Sequence, residues 1–206
     1  MGSGTNRKRW ATGPMWGVFL LFALFPYIPF IGKYLSLGTE VLIWSLFALG
    51  FNILLGYTGL PSFGHGAFFG IGAYAAGIYF LRISKGVWGP LLLSIVVAGV
   101  FAALIGFLVA RKRGIYFALI TIAISQVFYF IAFRWDEFTG GETGLSGIDR
   151  MDVGLPGLIQ IKLAAPLPYY YFVLVVFALC TLLIWRIVDS TFGKVLQAIR
   201  ENEVRA

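Results

Sequence analysis

The sequence predicts an all-α protein: a polytopic transmembrane helix bundle of about six spans, amino terminus cytoplasmic, ending in a cytoplasmic amphipathic helix. Three observations carry this reading. Of the 206 residues, 59% are hydrophobic and only 12% charged, whereas soluble domains sit nearer half apolar and a quarter charged. The apolar residues fall in runs close to the ~20 residues needed to cross a hydrocarbon core. The charges fall between the runs, with basic clusters on alternate sides.

The elements follow in order. Arg7, Lys8 and Arg9 precede an apolar run from Met15 to Ile31. That shape also suits a secretory signal, but Pro26, Tyr27, Pro29 and Phe30 provide no small-residue cleavage site, so a retained helix kinked at the prolines is expected. Thr39 to Gly56 forms the second segment, and Phe63 to Leu81, rich in glycine, the third. Pro90 to Ala110 is a charge-free fourth, and Ile115 to Phe133 a fifth. The sixth, Tyr169 to Val188, opens on three tyrosines and nearly closes on Trp185, as expected of an aromatic belt at headgroup level.

Alternating crossings can be tested against charge. A cytoplasmic amino terminus places Arg7 to Arg9, the turn Tyr57 to Ser62, Arg111 to Arg113 and the tail after Arg186 on the cytoplasmic side. The opposite side receives Lys33, Arg82, Lys85 and a long loop, residues 135–168, with five acids against Arg150 and Lys162. This satisfies the positive-inside rule with Arg82 and Lys85 as mild exceptions. A re-entrant third segment would move Arg111 to Arg113 outside, so that segment is expected to span. Within the loop, Thr139 to Gly147 (T-G-G-E-T-G-L-S-G) is rich in turn residues and should fold back tightly. It reads either as an exposed linker or as a small external substructure over a pathway or against a soluble partner.

Several functions are excluded or left without parts. Neither Gly-rich stretch is followed by the Lys-Ser/Thr pair of a phosphate-binding loop. His65 has no acid near it in sequence, so no hydrolytic triad is evident and no enzyme is expected. Cys180 stands alone and His65 is the single histidine, so no metal cluster, disulfide framework or other cofactor is implied. The net charge of +7 follows membrane orientation and calls for no nucleic acid. No row of buried Asp, Glu or Arg suggests proton coupling, so energy for any transport should come from outside the chain.

The stretch Asn52 to Gly77 organises the rest. Small residues allow helices in lipid to approach closely, and Gly66-x-x-x-Gly70 and Ala73-x-x-x-Gly77 are expected to be helix contacts. Asn52, His65 and Gln126 are the polar side chains expected near membrane depth, serving either as interhelical glue or as pathway groups. Gly56, Ser62, Gly64, Gly70 and Gly72 join them as candidates for pathway or packing. From Gly193 the tail reads as an amphipathic helix, with Val195, Leu196 and Ile199 against the body and Lys194, Arg200, Glu201, Glu203 and Arg205 towards solvent. Its mixed charge suits a protein partner better than anionic lipid.

The motif N-I-L-L-G-Y-T-G-L-P-S-F-G-H-G-A-F-F-G-I-G-A-Y (Asn52 to Tyr74) resembles the signature of permease subunits of branched-chain amino acid ABC transporters. So, in order, do R-G-I-Y-F-A-L-I-T-I-A-I-S-Q (Arg113 to Gln126), T-G-G-E-T-G-L-S-G, and F-G-K-V-L-Q-A-I-R-E-N-E-V-R-A (Phe192 to Ala206). The matches cover most of the chain from about Thr39 and suit the larger of the two paralogous permeases better. The resemblance implies a transmembrane permease domain over 1–188 and, over 189–206, a cytoplasmic coupling loop akin to the EAA loop of ABC importers. The family pattern of that loop falls on Gly193, Ala198, Glu201, Glu203 and Ala206, with Arg200 and Asn202 between them. Two ATP-binding cassette subunits, a second paralogous permease, an external substrate-binding protein and a small amino acid substrate are implied, in a prokaryotic inner membrane. A urea or short-amide importer of the same family stays open on these motifs, as does a non-transporting scaffold or channel. Family members continue with further transmembrane helices beyond this loop, so an incomplete permease is expected.

Overall fold

A computed structural model describes residues 16–28, 34–84, 86–109, 112, 114–148, 153–155, 159–161, 163 and 165–201. The helices are α1 (Trp16–Tyr27), α2 (Leu35–Asn52, extended by a π-helical turn Ile53–Tyr57), α3 (His65–Arg82), α4 (Trp88–Val109) and α5 (Gly114–Arg134). A single turn α6 (Asp136–Thr139) precedes a 3₁₀ turn, Gly141–Thr143. Then come α7 (Pro166–Asp189) and α8 (Thr191–Glu201). Among the described residues, an antiparallel pair of strands lies between α6 and α7. In it β1 (Val153–Leu155) meets β2 (Ile159–Ile161), with Gly154 opposite Gln160.

Among the described residues, four helices are both long and apolar enough to cross a membrane: α2 with its π turn, α4, α5 and α7. Of the two other expected spans, α1 is shorter. The 18 residues of α3 reach about 27 Å at 1.5 Å per residue, but glycine, tyrosine and the terminal His65 and Arg82 dilute its hydropathy.

The buried core lies where α1, α2 and α7 meet. Leu42, Tyr170, Leu174 and Phe177 form it, with Phe19, Phe22 and Phe25 packed on it. Tyr170 is wholly buried, so this one of the three tyrosines opening α7 packs in the core instead of joining the expected aromatic belt. The reason is a backbone debt in α1. Pro26 has no N–H for the carbonyl four residues earlier, and that carbonyl, Phe22, accepts instead from the Tyr170 hydroxyl at 2.7 Å. Tyr171 donates to the Ala23 carbonyl at 3.2 Å. In hydrocarbon, each such backbone group requires an internal partner. Gly38 makes room: a Cβ there would stand 2.7 Å from the Phe25 ring and 3.0 Å from Tyr170.

The second group consists of α3, α4 and α5, with α3 and α4 the most extensive helix pair. Aromatic contacts join the groups along the α2–α3 seam, where Phe47 and Phe69 lie 5.5 Å apart between ring centroids and Trp44 and Phe69 6.0 Å.

The glycines of α3 do not act as the spacing suggests. A Cβ at Gly66 or Gly70 would meet nothing within 4 Å, so this expected packing motif faces open space. Gly72, about 200° round the helix from Gly70, is turned to α4, where a Cβ would stand 3.7 Å from Ala98 Cβ. Gly77 receives Leu145 and Ile148 from the segment after the 3₁₀ turn, 2.9 and 3.0 Å from a would-be Cβ. Gly64 sits on α5, where a Cβ would stand 2.6 Å from the Thr121 carbonyl oxygen.

Candidate functional site

The open face of α3 is one wall of a cleft of about 830 Å³. Phe63 lines it from the α2–α3 turn, Gly66, Ala67, Gly70, Ile71, Tyr74 and Ile78 from α3, Leu93, Val97 and Phe101 from α4, and Ser125, Gln126, Phe128 and Ala132 from α5. Residues 139 and 141–144 close one end. From Gly66 to Ile78 the cleft follows α3 for about 18 Å, more than half of a ~30 Å bilayer core. Small residues on this wall leave space, and the facing walls are apolar with a few polar groups, the usual make-up of a small-ligand site.

The closing turn is held from within. The single Thr139 O–H is shared between the carbonyls of Ala132 (2.6 Å) and Trp135 (2.7 Å), and its oxygen accepts from the Gly141 N–H at 3.3 Å. Gly140 and Gly141 adopt φ of 78° and 55°, a region that residues with a Cβ rarely enter. Arg82, at the end of α3, donates to the Glu137 carbonyl at 2.8 Å and lies 5.1 Å from the centre of the Phe138 ring. An arginine that charge counting left as an exception thus fastens α6 to α3.

The opposite end of the cleft rests on the turn between α2 and α3. The Phe63 N–H donates to Thr121 Oγ1 at 3.2 Å, and that hydroxyl donates onward to the Ala118 carbonyl at 2.8 Å. Ser62 is buried beside them, at 2% exposure.

The candidate residues therefore separate. Gly70 and Gln126 share the cleft. His65 does not: its imidazole packs on Phe47 (5.0 Å) and Phe51 (5.8 Å), and it lines a second, apolar cavity of about 540 Å³ between α2, α3, α4 and α7. Asn52 is exposed on α2, its side chain lying over Gly56. Gly56, Ser62 and Gly64 belong to the turn, and Gly72 to the α4 contact.

The tail departs further from expectation. In α8, Phe192, Val195 and Ile199 are exposed and only Leu196 is half-buried; the apolar stripe expected against the body faces away from it. Gly193 is buried at the elbow, where a Cβ would collide with the Val188 carbonyl. Ala198 and Glu201 are exposed, while Asn202, Glu203 and Ala206 lie outside the described residues. Arg200, expected to face solvent, reaches back and donates Nη1 to the Gly56 carbonyl. Neither the direction of Arg200 nor the burial of Tyr170 carries a local sequence signal, although Pro26 and Pro61 mark the carbonyls that needed donors.

Comparison with known proteins agrees with the fold and the motifs. The profile of the family described as "Branched-chain amino acid transport system / permease component" matches residues 34–206. The chain is 32% identical over 115 residues to "High-affinity branched-chain amino acid transport system permease protein LivM" of Salmonella typhimurium, and 31% identical over 115 residues to the protein of that description from Escherichia coli K12. Each match takes in 56% of this chain and 27% of the relative's length. No solved structure matches significantly. With a multi-pass helical fold and a family profile covering most of its length, the chain belongs to the permease-component family of branched-chain amino acid transport systems.

Proposed function

We propose that these residues form part of a permease subunit of an ATP-driven ABC importer for branched-chain amino acids in a prokaryotic inner membrane. The observation that carries this is the cleft along α3, open on one side and lined by Ile71, Val97, Phe101 and Ala132. An aliphatic side chain gains by transfer onto such walls, a gain that urea, with no aliphatic group, does not make. Gln126, in the lining, supplies an amide for the substrate's polar end.

In this reading the cleft becomes part of a continuous path when a second, paralogous permease covers its open side. An external binding protein delivers substrate at the end closed by Thr139 to Gly144. Two ATPase subunits dock on α8, whose exposed Phe192, Val195 and Ile199 offer an apolar ridge framed by Lys194 and Glu201. Helix groups then move as rigid bodies to alternate access. The arrangement of the ends supports the six-span orientation: α8 meets the α2–α3 turn at one end of α3, and Arg82 meets α6 at the other.

Uptake of labelled leucine and labelled urea, side by side, in vesicles carrying the full-length permease with its partners tests the proposal. ATP-dependent leucine uptake with no urea uptake is expected. Urea uptake alone would assign the amide branch, and uptake without ATP would support a channel.

A further inference from the structure

The contact between Arg200 and the α2–α3 turn has a specific cause in the backbone. In a continuing helix the Gly56 carbonyl would accept from the N–H of Leu60, or of residue 61 in a π-helix. Leu60 N–H is committed to the Leu54 carbonyl at 3.2 Å, and residue 61 is proline, with no N–H to give. The Gly56 carbonyl is thus left over at the end of the π turn, and Arg200 supplies its donor from 144 residues away. Gly59, at φ 72°, completes the seat: a Cβ there would stand 3.0 Å from Arg200 Cγ, so the arginine stem lies across a bare backbone.

The same turn leads directly into the cleft. Four residues after Gly59, Phe63 lines the cleft and donates its N–H to Thr121 of α5, and Gly64 rests on the Thr121 carbonyl. Hydrogen bonds and close backbone contacts therefore run from α8 through residues 56–64 to two walls of the cleft.

We propose that Arg200 is a positioning residue that ties the terminal amphipathic helix to the cleft-bearing helices, so that displacement of α8 moves the start of α3 and its seat on α5. This rests on the reading of α8 as the ATPase-coupling helix, but it gives Arg200 a task distinct from docking. The exposed guanidinium reaches across to the Gly56 carbonyl, whereas the docking ridge is Phe192, Val195 and Ile199. Among the described residues the guanidinium uses one N–H, so a lysine ammonium at the same place meets the requirement and a neutral glutamine meets it poorly.

The test uses the full-length permease in its assembled transporter, with Arg200→Gln and Arg200→Lys compared with wild type. In Arg200→Gln the ATPase subunits are expected to co-purify as in wild type. Leucine transported per ATP hydrolysed is expected to fall about tenfold, the equilibrium factor carried by one charge-assisted hydrogen bond; Arg200→Lys restores most of it. Loss of co-purification in Arg200→Gln, or an unchanged transport ratio, overturns the proposal. A second measurement needs no transport: spin labels at Phe63→Cys and Gln197→Cys, with Cys180→Ser, report the distance between the turn and α8. A narrow distribution is expected with Arg200 or lysine, and a broadened one with glutamine; the same narrow distribution in all three overturns the link. A wild-type transporter that imports no leucine would instead refute the proposed function, and the distance measurement would still decide the link.

Discussion

Replacing Gly64 by alanine places a Cβ 2.6 Å from the Thr121 carbonyl oxygen and 3.2 Å from Thr121 Cβ. The obstacle is backbone, so no rotamer change relieves it. Restoring ordinary contact, which begins near 3.4 Å, requires α3 and α5 to part by about 0.8 Å at this point. The Phe63 N–H to Thr121 Oγ1 bond, already 3.2 Å, would then stretch to about 4 Å, beyond hydrogen-bonding range. Overpacking costs about 1–3 kcal/mol and the lost bond about 1 kcal/mol, which gives about 2–4 kcal/mol in all. For a chain of this size each kcal/mol moves Tm by about 2–4 °C, so a fall of about 4–16 °C is expected in detergent, followed by loss of the monodisperse peak on heating. Gly70→Ala is the control. Its Cβ meets nothing, and removing a glycine from a helix interior stabilises by up to ~1 kcal/mol, so Tm should hold or rise. Equal shifts in the two variants, or a stable Gly64→Ala, would refute the assignment of close packing to Gly64 and open space to Gly70.

Three further outcomes are expected. Tyr170→Phe leaves the Phe22 carbonyl without a donor and should destabilise by about 1–3 kcal/mol, read as a lowered Tm. Gly70→Leu should fill the cleft without breaking a helix contact, reducing leucine uptake while thermal stability is retained; a fall in Tm matching that of Gly64→Ala would place Gly70 in a packed interface. Gly193→Ala should force the α7–α8 elbow open against the Val188 carbonyl and reduce ATPase co-purification; unchanged co-purification would detach the elbow geometry from docking.

The fold was legible wherever apolar runs were long and uninterrupted. Pro90 to Ala110 and Ile115 to Phe133 correspond to α4 and α5 within two residues at each end, because a span must satisfy its own backbone and its length is set by the bilayer. What was not legible was the direction in which small and polar residues face. Gly66 and Gly70 have the spacing of a packing motif, yet the same spacing serves equally to hollow out a cleft; only the position of α4, against Gly72, separates the two. The tail shows the same limit: the period of Phe192, Val195 and Ile199 announces an apolar face but not the side on which its partner lies. Arg200 and Tyr170 each answer a carbonyl freed by a proline far away in the chain. The prolines are visible in the sequence, but their donors become known only once the helices are placed.

The central claim is that the face of α3 bearing Gly66 and Gly70 lines the route of the substrate. Its most direct measurement is modification of Ala67→Cys, on the cleft wall, by a membrane-impermeant maleimide in a full-length permease otherwise cleared of cysteine, within its transporter, with and without leucine. Labelling that leucine slows and that urea leaves unchanged is the predicted result. Labelling at the same rate with and without leucine, in a transporter that imports leucine, would contradict it.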